Sequence, residues 1–344
     1  MLFTKGLEEI IFAKHELLSD YPDEFIIISG FLGPAPIKRL EQLENIKVTV
    51  IGGMYPTGLD ARLWNSLVTI EQSNPNLNLL FTTREIHSKI YIWKKNGKTL
   101  SALIGSANFS SNGLRTDYRE SLADATRDTF EPLDDYYKFI IENSVSSPML
   151  KKNQQIVDFQ PNTTVQSDSF QDNLNHSVNI PLFDPKKNIV PKSSGLNWGL
   201  SNGHVAPGDA YIRIPKEVIK NNDKLIKPLD PEFTTPEGRR KRNSDPIELI
   251  WDDGVIMEAS LEGVQTFEEK KYPKQLASYS QKQVFMDGER VSKKSILGRY
   301  LRKRLGVGLT EEITMETLRE YGRNTVTLSL VGEGVYYADF SVKK

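Results

Sequence analysis

The chain has 344 residues, of which 38% are hydrophobic and 26% charged, with 44 Lys and Arg against 45 Asp and Glu. This is the make-up of a soluble globular protein with room for two cores, and the absence of cysteine excludes disulfides, zinc–thiolate sites and cysteine nucleophiles. Residues 1–150 hold 15 basic and 19 acidic side chains and the remainder 29 and 26, so the basic excess lies in the C-terminal half, where a polyanion would dock.

The first twenty residues mix acidic side chains into their apolar pattern and do not read as a signal peptide. No stretch has the length and apolar character of a membrane span, so a cytoplasmic protein with no membrane partner is expected. DEFIIISG predicts a buried strand, PAPIKRLEQLENI a helix with Pro at its start, KVTVIGG a second strand, LDARLWNSLVTIEQS a second helix and LNLLFTT a third strand. This βαβαβ rhythm implies a mostly parallel sheet with helices on its faces. HSKIYIWKKNGKTLSALIGS then predicts two strands joined at Asn96-Gly97. YRESLADA reads as another strand and FEPLDDYYKFIIENS as a closing helix. Residues 151–192 read as a linker or extended connector, with apolar pieces at Ile156–Phe159 and Ile180–Phe183 that could pair as edge strands. The rest is β-rich: DAYIRIP, PIELIWDD, VIMEASLE, NTVTLSLVG and YYADFSV are expected strands, and SKKSILGRYLRKRLG and TMETLREYG expected helices. Short strands with regular turns suggest a barrel or sandwich.

The chemistry concentrates in the first half. On a strand from His87, side-chain alternation puts His87, Lys89, Tyr91 and Trp93 on one face and Ser88, Ile90 and Ile92 on the core face. The hairpin returns Gly105, Ser106 and Asn108 toward the same edge, and Glu120 follows on the next expected strand. Each residue type suits attack on a phosphodiester. Histidine is a nitrogen nucleophile that needs no metal. Lysine is a fixed positive charge for phosphate oxygens. The Asn108 amide and Ser106 hydroxyl donate hydrogen bonds, and a carboxylate such as Glu120 holds an imidazole in one tautomer. A lone His-x-Lys is uninformative, and a solvated strand face explains it equally well; the combination is what carries weight. Gly97-Lys98-Thr99 lacks the upstream glycine of a nucleotide loop and reads as a turn. Asp134 and Asp135 read as a solvated helix face.

His87-x-Lys89, Gly105-Ser106-x-Asn108 and Glu120 together resemble the phospholipase D superfamily, in its short nuclease branch. The resemblance covers the first half of the chain. It implies that one histidine attacks phosphorus to form a covalent intermediate, a second protonates the leaving oxygen, and water then releases the product without metal or other cofactor. The remaining histidines, His15, His176 and His204, are not followed by Lys two residues on. With one motif copy, the resemblance implies a homodimer that brings two His87 side chains to one site.

In the second half, Leu196–His204 and Glu258–Tyr279 are polar, Gly- or Pro-containing and mixed with aromatics. They are either solvated loops or loops that reach base edges and phosphates. YIRIPK followed by a short helix is similar to the plant B-three-type pseudobarrel DNA-binding domain, whose two arms would correspond to roughly 197–208 and 262–280. The resemblance nominates Asn197, Trp198, Asn202, His204, Arg213, Gln265, Lys270, Lys271, Tyr272, Lys274 and Gln275 as DNA contacts. The basic runs at 238–243 and Arg299–Arg304 read as a loop and as a helix face meeting phosphate or solvent. The expected architecture is an α/β phospholipase-D-like sandwich at 1–150, a connector at 151–192 and a mainly-β pseudobarrel at 193–344. That order resembles the BfiI/NgoAVII type of metal-independent type II restriction endonuclease. Double-stranded DNA is then the implied partner, alongside a cognate methyltransferase and, in some members, a separate ATP-dependent protein. The competing readings are a DNA-binding regulator with an inactive nuclease half, and a phosphodiesterase acting on another substrate.

Overall fold

A computed structural model describes residues 1–151, 177–220, 225–229, 244–280, 283–286 and 288–342. The chain forms two compact units, Met1–Asn153 with Val331–Val335, and Gln154–Leu330 with Tyr336–Lys344. Among the described residues, no helix is long and apolar enough to cross a membrane.

The first unit runs β1 (Leu2–Phe3), α1 (Leu7–Leu17), β2 (Glu24–Ser29), α2 (Pro34–Arg39), β3 (Lys47–Gly52), β4 (Leu59–Asp60), α3 (Ala61–Ser73), β5 (Leu77–Thr82), β6 (Ile90–Lys95), β7 (Lys98–Gly105), α4 (Ser111–Leu114), β8 (Leu122–Asp124), α5 (Phe130–Glu142), β9 (Ser144–Val145) and β10 (Leu150–Lys151). Its main sheet has the order β1-β8-β7-β6-β2-β3-β5-β9. The expected parallel core is β2, β3 and β5, and the hairpin strands add to it antiparallel through β6. Local chemistry accounts for these elements. The Asp60 side chain caps α3 by accepting from the Arg62 N–H. Asn96 and Gly97 take φ of 50° and 74°, the left-handed pair that a tight hairpin turn requires. Past that turn the β6–β7 register shifts between Trp93 and Lys94.

Both faces of this sheet are buried. On one, Ile26, Ile28, Ile51, Ile90, Ile92 and Ala102 pack with Leu133 and Ile140 of α5. On the other, Phe25, Ile27, Tyr91, Trp93 and Leu103 are fully buried, and Phe25 stacks on Trp93 with ring centroids 4.7 Å apart. Alternation along β6 therefore holds, but Tyr91 and Trp93 lie in a second core layer rather than on a site face. A sheet covered on both sides hides both sets of alternating residues. Asp134 is no free surface charge either: it accepts from Thr99 and pairs with the buried Lys94 at 2.6 Å.

The second unit contains β11 (Ser177–Pro181), β12 (Ile212–Arg213), α6 (Lys216–Lys220), β13 (Ser244–Trp251), β14 (Ile256–Glu262), β15 (Gln265–Phe267), β16 (Lys270–Tyr272), β17 (Gln275–Ser278), β18 (Val284–Met286), β19 (Glu289–Val291), α7 (Ser295–Leu305), α8 (Met315–Tyr321) and, apart from their ends within Val331–Val335, β20 (Thr325–Gly332) and β21 (Val335–Asp339). Seven strands form a sheet ordered β11-β20-β21-β13-β14-β17-β12. The two end strands, β11 and β12, come side by side, so the sheet nearly closes on itself, the expected mainly-β barrel. Its core includes Ile212, Ile247, Trp251, Leu261, Leu297, Leu301 and Leu328. β11 contains Ile180 and pairs with β20; Ile156–Phe159 and the basic run at 238–243 lie outside the described residues.

The expected basic face of α7 is largely internal. Arg302 is 1% exposed and donates to the carbonyls of Gly308 and Glu311 and to Asn197. Arg304 pairs with Asp252 at 2.6 Å. Carbonyls and a carboxylate, not phosphates, take up these guanidinium donors.

Candidate active site and nucleic-acid interface

Three strand ends of the first unit meet at one end of the sheet. The β2–β6 register pairs Ile28 with Ile90, so Ser29 at the end of β2 lies beside the residue before Ile90, which is Lys89. The Gly105 N–H at the end of β7 donates to the Lys89 carbonyl at 3.1 Å. The segments leaving these ends carry His87, Lys89, Ser106 and Asn108. His87 and Lys89 precede the first residue of β6 and lie outside the strand itself. The Ser88 hydroxyl hydrogen-bonds Tyr136 of α5 at 2.6 Å, which turns the intervening side chain away and leaves His87 exposed. The segment is pressed against Gly53, whose carbonyl accepts from Ile86 N–H and the Thr82 hydroxyl. A β-carbon on Gly53 would collide with the Ile86 backbone.

Lys89 Nζ donates to the His87 carbonyl at 2.5 Å, folding the ammonium back over the segment. The Asn108 amide is oriented by its oxygen, which accepts from the Phe31 N–H at 3.2 Å. Its Nδ2 thus faces outward and donates to Glu333 Oε2 at 3.1 Å. The turn after Asn108 requires Gly113, because a β-carbon there would meet the Asn108 backbone. Tyr91 pins the same loop from beneath, its hydroxyl donating to the Ala107 carbonyl at 2.8 Å. Burial, with the nearby Glu120 charge adding to it, pushes the Tyr91 phenol well above its ordinary range, so it stays a donor at any physiological pH. From above, Arg115 forms a buried ion pair with Glu8 of α1, and Gly6 N–H donates to Asp117.

Ser106 Oγ accepts from Ser121 N–H at 3.1 Å, which leaves its own proton for an outside acceptor. Gly105 is needed for the close approach of the Ser121 carbonyl. Glu120 is half-buried and lies on an irregular segment ahead of β8, not on a strand. Tyr118 takes φ of 64°, and the β7–β8 ladder begins only at Leu122. Within the chain, no hydrogen bond joins Glu120 to His87 among the described residues. Ser29, Gly30 and Gly113 also shape the site, yet sequence reasoning missed them. Ser29 and Gly30 end an ordinary apolar strand, and only Gly113, five residues after Asn108, left a local signal. Among the described residues, no group of three or more His, Asp or Glu could hold a metal ion.

In the second unit, Arg213, Gln265, Lys274 and Gln275 line one cleft of about 460 Å³ together with Lys216. The register of β12 and β17 sets Arg213 opposite Gln275. Gln265 donates to the carbonyls of Ile214 and Pro273, anchoring the β15–β16 hairpin to this edge. Lys270 is exposed and Lys271 half-buried beside the hairpin tip. Asn202 and His204 are exposed on the other loop, where Trp198 packs edge-on against Tyr211. Two nominated contacts lie elsewhere. Tyr272 is 5% exposed, in the core. Asn197 is fully buried, donating to Pro191 and Ile313 carbonyls and accepting from Arg302 and Ile313 N–H. With its amide saturated, Asn197 is a structural bracket and not a reader of bases. Asn197→Ala is expected to lower stability by about 1–3 kcal/mol by stranding these groups, seen as a lower melting temperature in the DNA-free protein.

Residues 5–158 match the family model described as the NgoFVII restriction endonuclease N-terminal PLD domain. Residues 171–332 match the NgoFVII C-terminal B3-like DNA-binding domain. The chain belongs to the NgoFVII restriction endonuclease family. Both parts of an NgoFVII-type enzyme, the phospholipase-D-type nuclease domain and the DNA-binding domain, are therefore present. Among solved structures the chain is similar to NucT from Helicobacter pylori, at 18% identity and TM-score 0.33, covering 43% of this chain and 98% of that one. It is also similar to Nuc, a phospholipase D family member from Salmonella typhimurium, at 11% identity and TM-score 0.28, covering 42% and 90%. A further likeness is to polyphosphate kinase from Porphyromonas gingivalis, at 12% identity and TM-score 0.32, covering 44% and 25%. No curated protein matches the chain.

Proposed function

We propose that this NgoFVII-family protein is a site-specific type II endonuclease that hydrolyses DNA without a metal ion, through a phosphohistidine intermediate at a site shared by two copies of the chain. The observation that carries the reading is the convergence of His87, Lys89 and Asn108 on one end of the sheet. In the proposed reaction an imidazole nitrogen of His87 forms a bond to phosphorus. The bond from phosphorus to the leaving oxygen breaks, and that oxygen takes a proton from His87 of the second copy. Water then attacks phosphorus and gives its proton back to that imidazole. The P–N bond breaks and His87 is regenerated. Lys89, Asn108 and Ser106 bind the non-bridging oxygens, whose negative charge grows in the transition state. That Asn108 Nδ2 already donates to a carboxylate oxygen supports its role as a donor to anions. Glu120 holds an imidazole in the attacking tautomer.

The DNA-facing side of the second unit is proposed at the cleft of Arg213, Gln265, Lys274 and Gln275, flanked by Lys270 and Lys271 and by the loop of Trp198, Asn202 and His204. Cations there bind phosphates and set affinity, while Gln and Asn amides read base edges. A plasmid carrying recognition sites, incubated with the protein in excess EDTA, is expected to give discrete fragments. Cutting only on addition of magnesium would overturn the mechanism.

A further inference from the structure

We infer that Gly30, together with Ser29, is a positioning residue for the cleavage reaction: its bare Cα is the surface against which Lys89 and Asn108 are set side by side. The inference rests on the function proposed above for those two residues. A β-carbon on Gly30 would lie 3.2 Å from Asn108 Oδ1, 3.4 Å from Lys89 Nζ and 3.3 Å from Met54 Cγ. All three neighbours are side-chain atoms, and two of them belong to the catalytic set. The backbone at Gly30 cannot retreat. Its carbonyl accepts from Met54 N–H at 2.9 Å, and the carbonyl of Ser29 accepts from Gly53 N–H at 2.8 Å. On the other side, Phe31 N–H holds Asn108 Oδ1 at 3.2 Å.

Ser29 completes the clamp. It is fully buried, donates to the Phe31 carbonyl at 2.6 Å and accepts from Phe109 N–H at 2.8 Å. The residues on either side of Gly30 thus grip the residues at and just after Asn108. The segment fixes the amide's position to within a hydrogen bond's tolerance, and glycine leaves the volume that the amide and the ammonium share. Gly30 does not take a left-handed φ, so alanine costs no backbone strain. Its added methyl pushes on the Asn108 amide and on the flexible Met54 chain and comes into contact with the Lys89 ammonium.

The test compares Gly30→Ala and Ser29→Ala with wild type and His87→Ala, using single-turnover cleavage of a cognate duplex and, separately, duplex affinity by gel shift. Gly30→Ala is expected to slow cleavage by about tenfold, because the Asn108 amide must give way by a fraction of the ångström that costs about 100-fold, with unchanged duplex affinity and an unchanged melting temperature. Ser29→Ala adds no atoms and is expected to slow cleavage by about tenfold at constant affinity. It decides the matter if Gly30→Ala proves misfolded. Wild-type cleavage rates in a folded Gly30→Ala protein, or in Ser29→Ala where the first is misfolded, overturn the inference. If His87→Ala is inactive in that assay, the active-site reading survives such a result; if His87→Ala still cuts, that reading falls too.

Discussion

His87→Ala protein is expected to cleave cognate DNA at least about 10⁴-fold more slowly than wild type while binding it with the same affinity. In the proposed mechanism the change removes the covalent nucleophile and so eliminates the pathway, whereas the match to a DNA-binding domain lies at residues 171–332. The expectation sharpens in mixed dimers. Each phosphoryl transfer in the proposed mechanism uses one imidazole to attack and a second to protonate the departing oxygen. A dimer of one wild-type and one His87→Ala subunit should therefore be inactive, not half-active. Differently tagged subunits, purified as the mixed species, supply the measurement. Half the wild-type rate would mean each chain carries a complete site and would remove the shared-site reading. Gel shift on the same preparations checks that DNA binding is intact.

Glu8→Gln is expected to destabilise the first unit by about 3–5 kcal/mol at neutral pH, the usual scale for removing one partner from a buried ion pair. Glu8 is 1% exposed and lies between two arginines, 2.5 Å from Arg115 Nε and 2.8 Å from Arg39 Nη1. Burial by itself would raise the Glu8 carboxyl. The hydrogen bond and charge of Arg115, then those of Arg39, outweigh burial and hold it below the ordinary carboxylate value. A folded-state pKa below the unfolded one gives stability that is complete above the unfolded value and fades as pH falls through the folded value. The gap between wild type and Glu8→Gln should therefore be widest near pH 7 and close in strong acid, where Glu8 is also neutral. Denaturant titrations at both extremes measure it, and a gap that is the same at both would refute the assignment. Because Arg115 ends α4, directly after the Asn108 turn, nuclease activity is expected to fall as the pair is lost.

What was legible in the sequence was local. The Asn96-Gly97 turn, the proline start of α2 and the strand–helix rhythm of residues 24–82 are written within a few neighbouring positions. The cluster of His87, Lys89 and Asn108 could be anticipated because a short hairpin returns the chain to its starting edge. The misread positions depend on distant partners. Tyr91 and Trp93 fit a solvated face by alternation, but helices and loops cover both sides of their sheet. Asn197, Arg302 and Arg304 look like polar surface, yet Asn197 and Arg302 satisfy each other across 105 positions. Glu120 was expected on a strand, and the left-handed Tyr118 shows why the ladder starts later. Ser29 and Gly30 carry no local signature, since Asn108, the residue they orient, lies 79 positions from Ser29.

The slip in pairing between Trp93 and Lys94 lies between the Asn96–Gly97 turn and the His87 end of the hairpin. A regular ladder transmits any change of length at its tip as a slide of the whole strand, and each one-residue slide reverses which way every side chain points. An existing irregularity breaks that transmission. The distal loop can therefore drift in length and composition over evolutionary time while the imidazole end keeps its alignment, which makes the tip the natural attachment point for a label or an inserted peptide.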